Sequence, residues 1–144
     1  MAGITGRNTK PELLIRKGLH RLGYRYRLHN RALPGRPDLV FPSKRAVIFV
    51  NGCFWHGHDC HLFRWPSTRP DFWRAKISGN VLRDRRVLEK LRSEGWRAGI
   101  VWECQLKGRE RRLLDEVLEE IAAFLDGASS MCNVGPERVK DVST

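Results

Sequence analysis

A mixed α/β fold, one sheet flanked by helices, follows from three features of this sequence. Apolar residues recur at helical spacing near both ends of the first 126 residues. Between them lie short runs of Val, Ile, Leu and Phe bounded by turn residues, as buried strands require. Their order is helix, three strands, helix, strand, helix, which calls for a mixed sheet sandwiched by helices. The 144 residues suit a single domain able to bury a core without disulfides. That domain is expected over 1–126, with 127–144 as a mobile C-terminal tail lacking periodicity.

Thr9-Lys10-Pro11-Glu12 reads as a helix start: a hydroxyl cap, a proline tolerated in the first turn, and a Glu to complete a capping box. Leu13, Leu14, Ile15, Leu19 and Leu22 supply its apolar face, and Gly23 stops it. Tyr24 to His29 alternates like a half-buried strand, and Leu33-Pro34-Gly35-Arg36-Pro37 is a loop. Asp38–Phe41 and Ala46–Val50 read as a hairpin around Pro42–Arg45. An irregular stretch rich in Gly, His, Cys and Trp runs from Asn51 to about Pro70. A helix then extends from Asp71 to about Ser93, closed by Gly95. Arg97–Trp102 is a further core strand. Arg109–Asp126 is a last helix, with Leu113, Leu114, Val117, Leu118, Ile121, Phe124 and Leu125 on one face.

Charge narrows the partner. Residues 1–45 carry eleven Lys/Arg against two acids, a balance of +9, and the remainder only +2. A basic surface of this kind favours polyanions by counterion release, so nucleic acid is the expected partner. No apolar run reaches the length of a bilayer span, and MAGITGRNTK lacks the apolar core of a signal peptide. No membrane partner is therefore expected, and the expected location is cytoplasmic.

In that compartment, clustered Cys and His point to metal more than to disulfides. Cys53, His58 and Cys60 form C-x4-H-x-C after one buried strand, and Cys104 follows another. If the two strands pair, their ends complete a Cys3His set, the donor set of a closed, structural zinc site. Cys132, in the tail, is left out. Arg36-Pro37-Asp38 stands at a strand mouth, where nucleases present a carboxylate to Mg2+, although Pro-Asp is also ordinary turn chemistry. His56 is not needed for zinc and is available to activate water. Asp84, within Arg83-Asp-Arg-Arg86, can orient His56 or pair with its arginine neighbours at the surface. Phe54, Trp55 and Trp73 flank polar loop residues and can wedge into a weakened base stack or fold back on the sheet. Trp96 and Trp102 are expected to pack on the sheet.

Taken together, Leu33-Pro-Gly-Arg-Pro-Asp38, Asn51-Gly-Cys-Phe-Trp-His56 with His58 and Cys60, Phe72-Trp73, Asn80 with Arg83–Arg86, and Gly95-Trp96 through Val101-Trp-Glu-Cys104 resemble the very short patch repair endonucleases over residues 1–126. The resemblance implies a restriction-endonuclease-like core and Mg2+-dependent nicking of double-stranded DNA 5′ to the thymine of a T:G mismatch. Such mismatches arise by 5-methylcytosine deamination. Asp38 and the backbone of Val50 would hold magnesium, His56 would serve the attacking water, Asp84 would support it, and Glu12 would lie close by. Cys53, His58, Cys60 and Cys104 would hold zinc. Phe54, Trp55 and Trp73 would form the wedge, with Lys76 and Arg36 as basic DNA contacts.

Two departures stand out. Val50-Asn51 replaces a threonine and histidine of well-known members; a backbone contact tolerates valine, but Asn51 cannot exchange a proton near neutral pH. A catalytic share for Asn51 thus reduces to hydrogen bonding, and the proton work falls on His56. Family members also carry a basic segment ahead of the position of Met1, without which weaker binding is expected. An asymmetric mismatch favours a monomer, with room for a mismatch-repair protein as partner. The alternatives are a zinc-stabilised DNA-binding protein without catalysis, and a structure-specific or restriction-associated nuclease on the same core.

Overall fold

The structure, a computed structural model, describes residues 9–136. Among these, α1 (Lys10–Arg21), β1 (Arg27–Leu28), β2 (Leu39–Phe41), β3 (Ala46–Asn51), α2 (Pro70–Ser93), β4 (Arg97–Trp102), α3 (Leu114–Asp126) and β5 (Met131–Val134) follow in order. The strands form one sheet in the order β1-β2-β3-β4-β5. β1, β2 and β3 pair antiparallel, whereas β3, β4 and β5 pair parallel.

Strand alternation divides the core between the two faces of the sheet. Leu39, Phe41, Ala46, Ile48 and Val101 pack against Ile15 and Leu19 of α1 and Val117, Leu118, Ile121, Phe124 and Leu125 of α3. Val40, Val47 and Ala98 turn the other way, onto Leu91 with Val87 and Leu88 of α2. Each fully buried Leu or Ile stabilises by about 1.5–3 kcal/mol relative to exposure. Two glycines permit the closest contacts. A Cβ on Gly18 would sit 2.4 Å from a Leu118 methyl where α1 crosses α3, and one on Gly99 would sit 2.8 Å from Ile48 Cδ1.

Local chemistry explains most boundaries. The Thr9 hydroxyl accepts from Glu12 N–H at 3.3 Å, capping α1. The hairpin turn is a 3-10 turn over Pro42–Lys44, ended by Arg45 in the left-handed region. Tyr24 and Tyr26 set their rings on Phe41, and within Tyr24–Leu28 only Arg27 and Leu28 find ladder partners, opposite Val40 and Leu39. The last helix starts at Leu114 rather than Arg109. Gly108 has φ +89°, and the N–H groups of Arg111 and Arg112 return to Gly108 and Gln105 in a turn.

The C-terminal expectation needs correction. The lack of periodicity predicts a mobile tail from residue 127, yet Met131–Val134 joins the sheet in parallel register with Ala98–Val101. The chain is anchored there by Arg97, whose guanidinium donates to the carbonyls of Phe124, Leu125, Ser129 and Lys44. A four-residue strand with an exposed first residue has too little alternation to register as a pattern. The rest of that tail, 137–144, lies outside the described residues.

Candidate active site and metal centre

Two clusters converge where β3 leaves the sheet. The first begins with Asp38, immediately before β2. Hairpin register sets its Oδ2 to accept from Val50 N–H at 2.7 Å. Its side chain is 13% exposed, and burial is the main reason its carboxyl is pushed up to about 7. The Val50 hydrogen bond and the nearby His56 oppose that rise, while the charge of Glu12 adds to it. Glu12 comes from α1 and is 1% exposed. Its Oε2 lies 2.8 Å from His29 Nε2 and 3.2 Å from an Arg16 guanidinium nitrogen. His29 Nε2 is also 4.0 Å from Asp38 Oδ1. The donor atoms of Glu12, His29 and Asp38 all lie within 4.8 Å of one another, a grouping that could hold a cation.

Beside this group, His56 Nδ1 meets Asp84 Oδ2 of α2 at 2.7 Å. A carboxylate at Nδ1 holds the proton there and leaves Nε2 as the basic nitrogen. Both residues line a cavity of about 240 Å³ with Asn51, Gly35, Phe49, Arg83 and Ile100. Asn51, at the end of β3, is buried. The structure thus brings Glu12, Asp38, Val50, Asn51, His56 and Asp84 to one end of the hairpin. What is observed at Val50 is its N–H, committed to Asp38.

The second cluster follows at once along the chain. His58 N–H returns to Cys53 O, and His56 N–H to Gly52 O, folding residues 52–58 into successive turns. Gly57, at φ +64°, lets this loop close on Ile77 and Val81 of α2; a Cβ would stand 3.0 Å from each. β3 and β4 pair in parallel, Asn51 opposite Trp102, which carries Cys104 to the loop. The donor atoms of Cys53, His58, Cys60 and Cys104 lie within 4.8 Å of one another, and Cys104 Sγ is 3.7 Å from His58 Nδ1. Ligands of a tetrahedral zinc with bonds of about 2.0–2.3 Å stand roughly 3.5–3.8 Å apart, so the quartet could hold such an ion.

The surroundings fit as well. His58 Nε2 donates to Pro136 O at 2.6 Å, which keeps Nδ1 for a metal, and the ring stacks on Trp102 at 4.0 Å. Burial pushes the Cys53 and Cys104 thiols up, and a divalent cation is what makes thiolates favourable at such a spot.

Beyond the metal loop stands an aromatic group. Phe54 stacks on Phe63 and meets the edges of Trp55 and Trp73, whose centroids are 6.0 Å apart. Trp55 is 40% exposed. Asn80 of α2 donates to Trp55 O at 2.9 Å and is itself bonded by Arg83, so the helix braces the ring's backbone. Lys76 is exposed on the same helix, and Arg36 is exposed in the loop before Asp38, with φ +49°. Trp102 is buried on the sheet, and Trp96 is half-buried under the Arg45 guanidinium.

Sequence reasoning missed His29 and Arg16. The only signal at His29 was a titratable residue ending an alternating segment, too weak to single out. Nothing in the spacing links it to Glu12, 17 positions away.

Comparison with known proteins gives consistent results. The family model for DNA mismatch endonuclease Vsr matches residues 1–62. DNA mismatch endonuclease Vsr of Escherichia coli (strain K12) is 49% identical over 120 residues, spanning 83% of this chain and 76% of that protein. Type II nicking enzyme V.XorIIP of Xanthomonas oryzae pv. oryzae is 48% identical over 121 residues, 80% of this chain and 89% of that protein. Among solved structures, the catalytic domain of homing endonuclease I-Bth0305I aligns with a TM-score of 0.54 at 23% identity, covering 81% of this chain and 94% of that one. That likeness bears on the fold alone and agrees with a restriction-endonuclease-like α/β core.

Proposed function

Because the chain belongs to the DNA mismatch endonuclease Vsr family, we propose that it nicks one strand of duplex DNA 5′ to the thymine of a T:G mismatch, using Mg2+ held at Asp38, and that zinc at Cys53, His58, Cys60 and Cys104 is structural. The observation that carries the catalytic part is the His56–Asp84 pair, 2.7 Å apart beside the shielded Asp38 carboxyl.

The roles follow from the chemistry of each group. Asp84 accepts from His56 Nδ1, so His56 Nε2 takes the proton of the water that attacks the scissile phosphodiester. Asn51 accepts or donates hydrogen bonds in the same cavity without exchanging a proton. Asp38 and the Val50 carbonyl hold the magnesium, and the buried Glu12 contributes its carboxylate nearby. Bound magnesium supplies Lewis-acid stabilisation of the phosphate charge.

Phe54, Trp55 and Trp73 wedge at the mismatch, where a weakened stack makes insertion least costly. Lys76 and Arg36 contact phosphates. The four-donor metal centre pins the loop that carries both the wedge and His56, which is why a structural ion belongs beside a catalytic one. An asymmetric lesion needs no symmetric dimer, so one chain acts alone.

The test uses purified protein, Mg2+ and end-labelled duplexes with one T:G mismatch or none, with Asp38→Ala as control. A single nick beside the mismatched thymine, absent from the paired duplex and the variant, is the expected result. Binding without cutting would make the protein a non-catalytic reader, and cutting indifferent to the mismatch would remove the specificity.

A further inference from the structure

The Glu12–His29–Asp38 grouping contains an imidazole that the mechanism above does not use. We infer that His29, through Nε2, is a direct ligand of the divalent cation held at Asp38, and that it biases the site toward manganese-class ions over magnesium. The inference rests on the reading of Asp38 as the cation ligand.

Three observations support it. His29 Nε2 faces both carboxylates, 2.8 Å from Glu12 Oε2 and 4.0 Å from Asp38 Oδ1. Adjacent ligands of an octahedral cation with bonds of about 2.1 Å stand roughly 3 Å apart, so small side-chain adjustments, with release to solvent of the proton shared by His29 Nε2 and Glu12 Oε2, let all three share one ion. His29 is also fixed where it stands. Its N–H donates to Asp38 O at 3.1 Å, continuing the β1–β2 ladder, and its backbone is held at φ +46° in the left-handed region. That conformation is uncommon for a residue other than glycine. Finally, the group is shielded: Glu12 is buried at 1% exposure, and the His29 and Asp38 side chains are only 15% and 13% exposed. Two carboxylates brought together under low exposure favour a cation between them.

The selectivity follows from ligand chemistry. Magnesium is a hard ion that takes oxygen and keeps its waters, whereas an imidazole nitrogen is a good donor to first-row transition ions. A site with one nitrogen and two carboxylates therefore gains more from His29 when manganese is bound than when magnesium is.

The experiment titrates the protein, purified without chelator, with Mn2+ and follows binding by electron paramagnetic resonance. Pulsed spectra of samples carrying 14N- or 15N-histidine read any nitrogen bonded to the ion. Wild type should give a directly coordinated histidine nitrogen signal that persists in His56→Ala and disappears in His29→Gln. Mn2+ affinity should fall about tenfold or more in His29→Gln, with Mg2+ affinity changing by less than about threefold. Glutamine keeps a polar group against Glu12, and circular dichroism of the Mn2+-free variant checks its fold. Two outcomes would overturn the inference while leaving Asp38 as the cation ligand. One is Mn2+ binding that is lost in Asp38→Asn but shows no nitrogen coupling; the other is a coupling that survives in His29→Gln. Mn2+ binding indifferent to Asp38→Asn would overturn both the inference and the reading beneath it.

Discussion

Asp38→Asn should stabilise the fold in the absence of Mg2+, and the gain should grow with pH. The Asp38 carboxyl is raised from 3.8 to about 7, chiefly by burial, with the Glu12 charge adding to it. A raised acid is neutral in both folded and unfolded chains below 3.8, so it costs nothing there. As the pH climbs from 3.8 to 7, the unfolded chain ionises freely while the folded one resists, and stability is lost across that window. At about 1.4 kcal/mol per pH unit, the loss is on the order of 1–2 kcal/mol at pH 5 and 4 kcal/mol at pH 8. Asparagine keeps an oxygen to accept from Val50 N–H and carries no charge to desolvate. With roughly 4 °C per kcal/mol for a domain of this size, the variant should melt on the order of 10 °C or more above wild type at pH 8 and a few degrees above it at pH 5. Thermal denaturation by circular dichroism at both pH values reads this directly, with Mg2+ omitted rather than chelated so that a metal at the cysteine cluster would not be stripped. Adding Mg2+ should raise wild type and narrow the gap. Parallel pH dependence in the two proteins, or a variant less stable at pH 8, would refute the burial argument.

Three further outcomes are expected. Cys104→Ser should drop bound zinc from one equivalent to near none by metal analysis and lower stability by several kcal/mol, because Cys104 is the donor through which the segment after β4 would be tied to the loop after β3. In His56→Ala, nicking should fall by about 100-fold or more while duplex affinity stays within a few-fold, measured by single-turnover cleavage and fluorescence anisotropy; undiminished cleavage would end its role as base. Trp55→Ala should weaken binding to a T:G duplex by about 1–3 kcal/mol, read by anisotropy. Its melting temperature should change little, since the ring is 40% exposed.

Much of the molecule was legible in the chain because periodicity and local chemistry act over short distances. The hairpin, α2 and β4 lie within a residue or two of their expected bounds, since each is a run whose burial pattern is printed in consecutive residues. Cys53, His58 and Cys60 stand out as a donor cluster by spacing within eight positions, and Cys104 could join them on one condition, the pairing of β3 with β4. His29 could not be read in this way. Its relation to Glu12 depends on how α1 packs over the sheet, and its relation to Asp38 on a ladder only two residues long. β5 escaped for the same reason: an edge strand of four residues is defined by the neighbour that pairs with it and by the Arg97 anchor. Local sequence therefore determined which segments fold and which donors are present. Tertiary packing alone decided which donors meet, because a contact between residues far apart leaves no period in either segment.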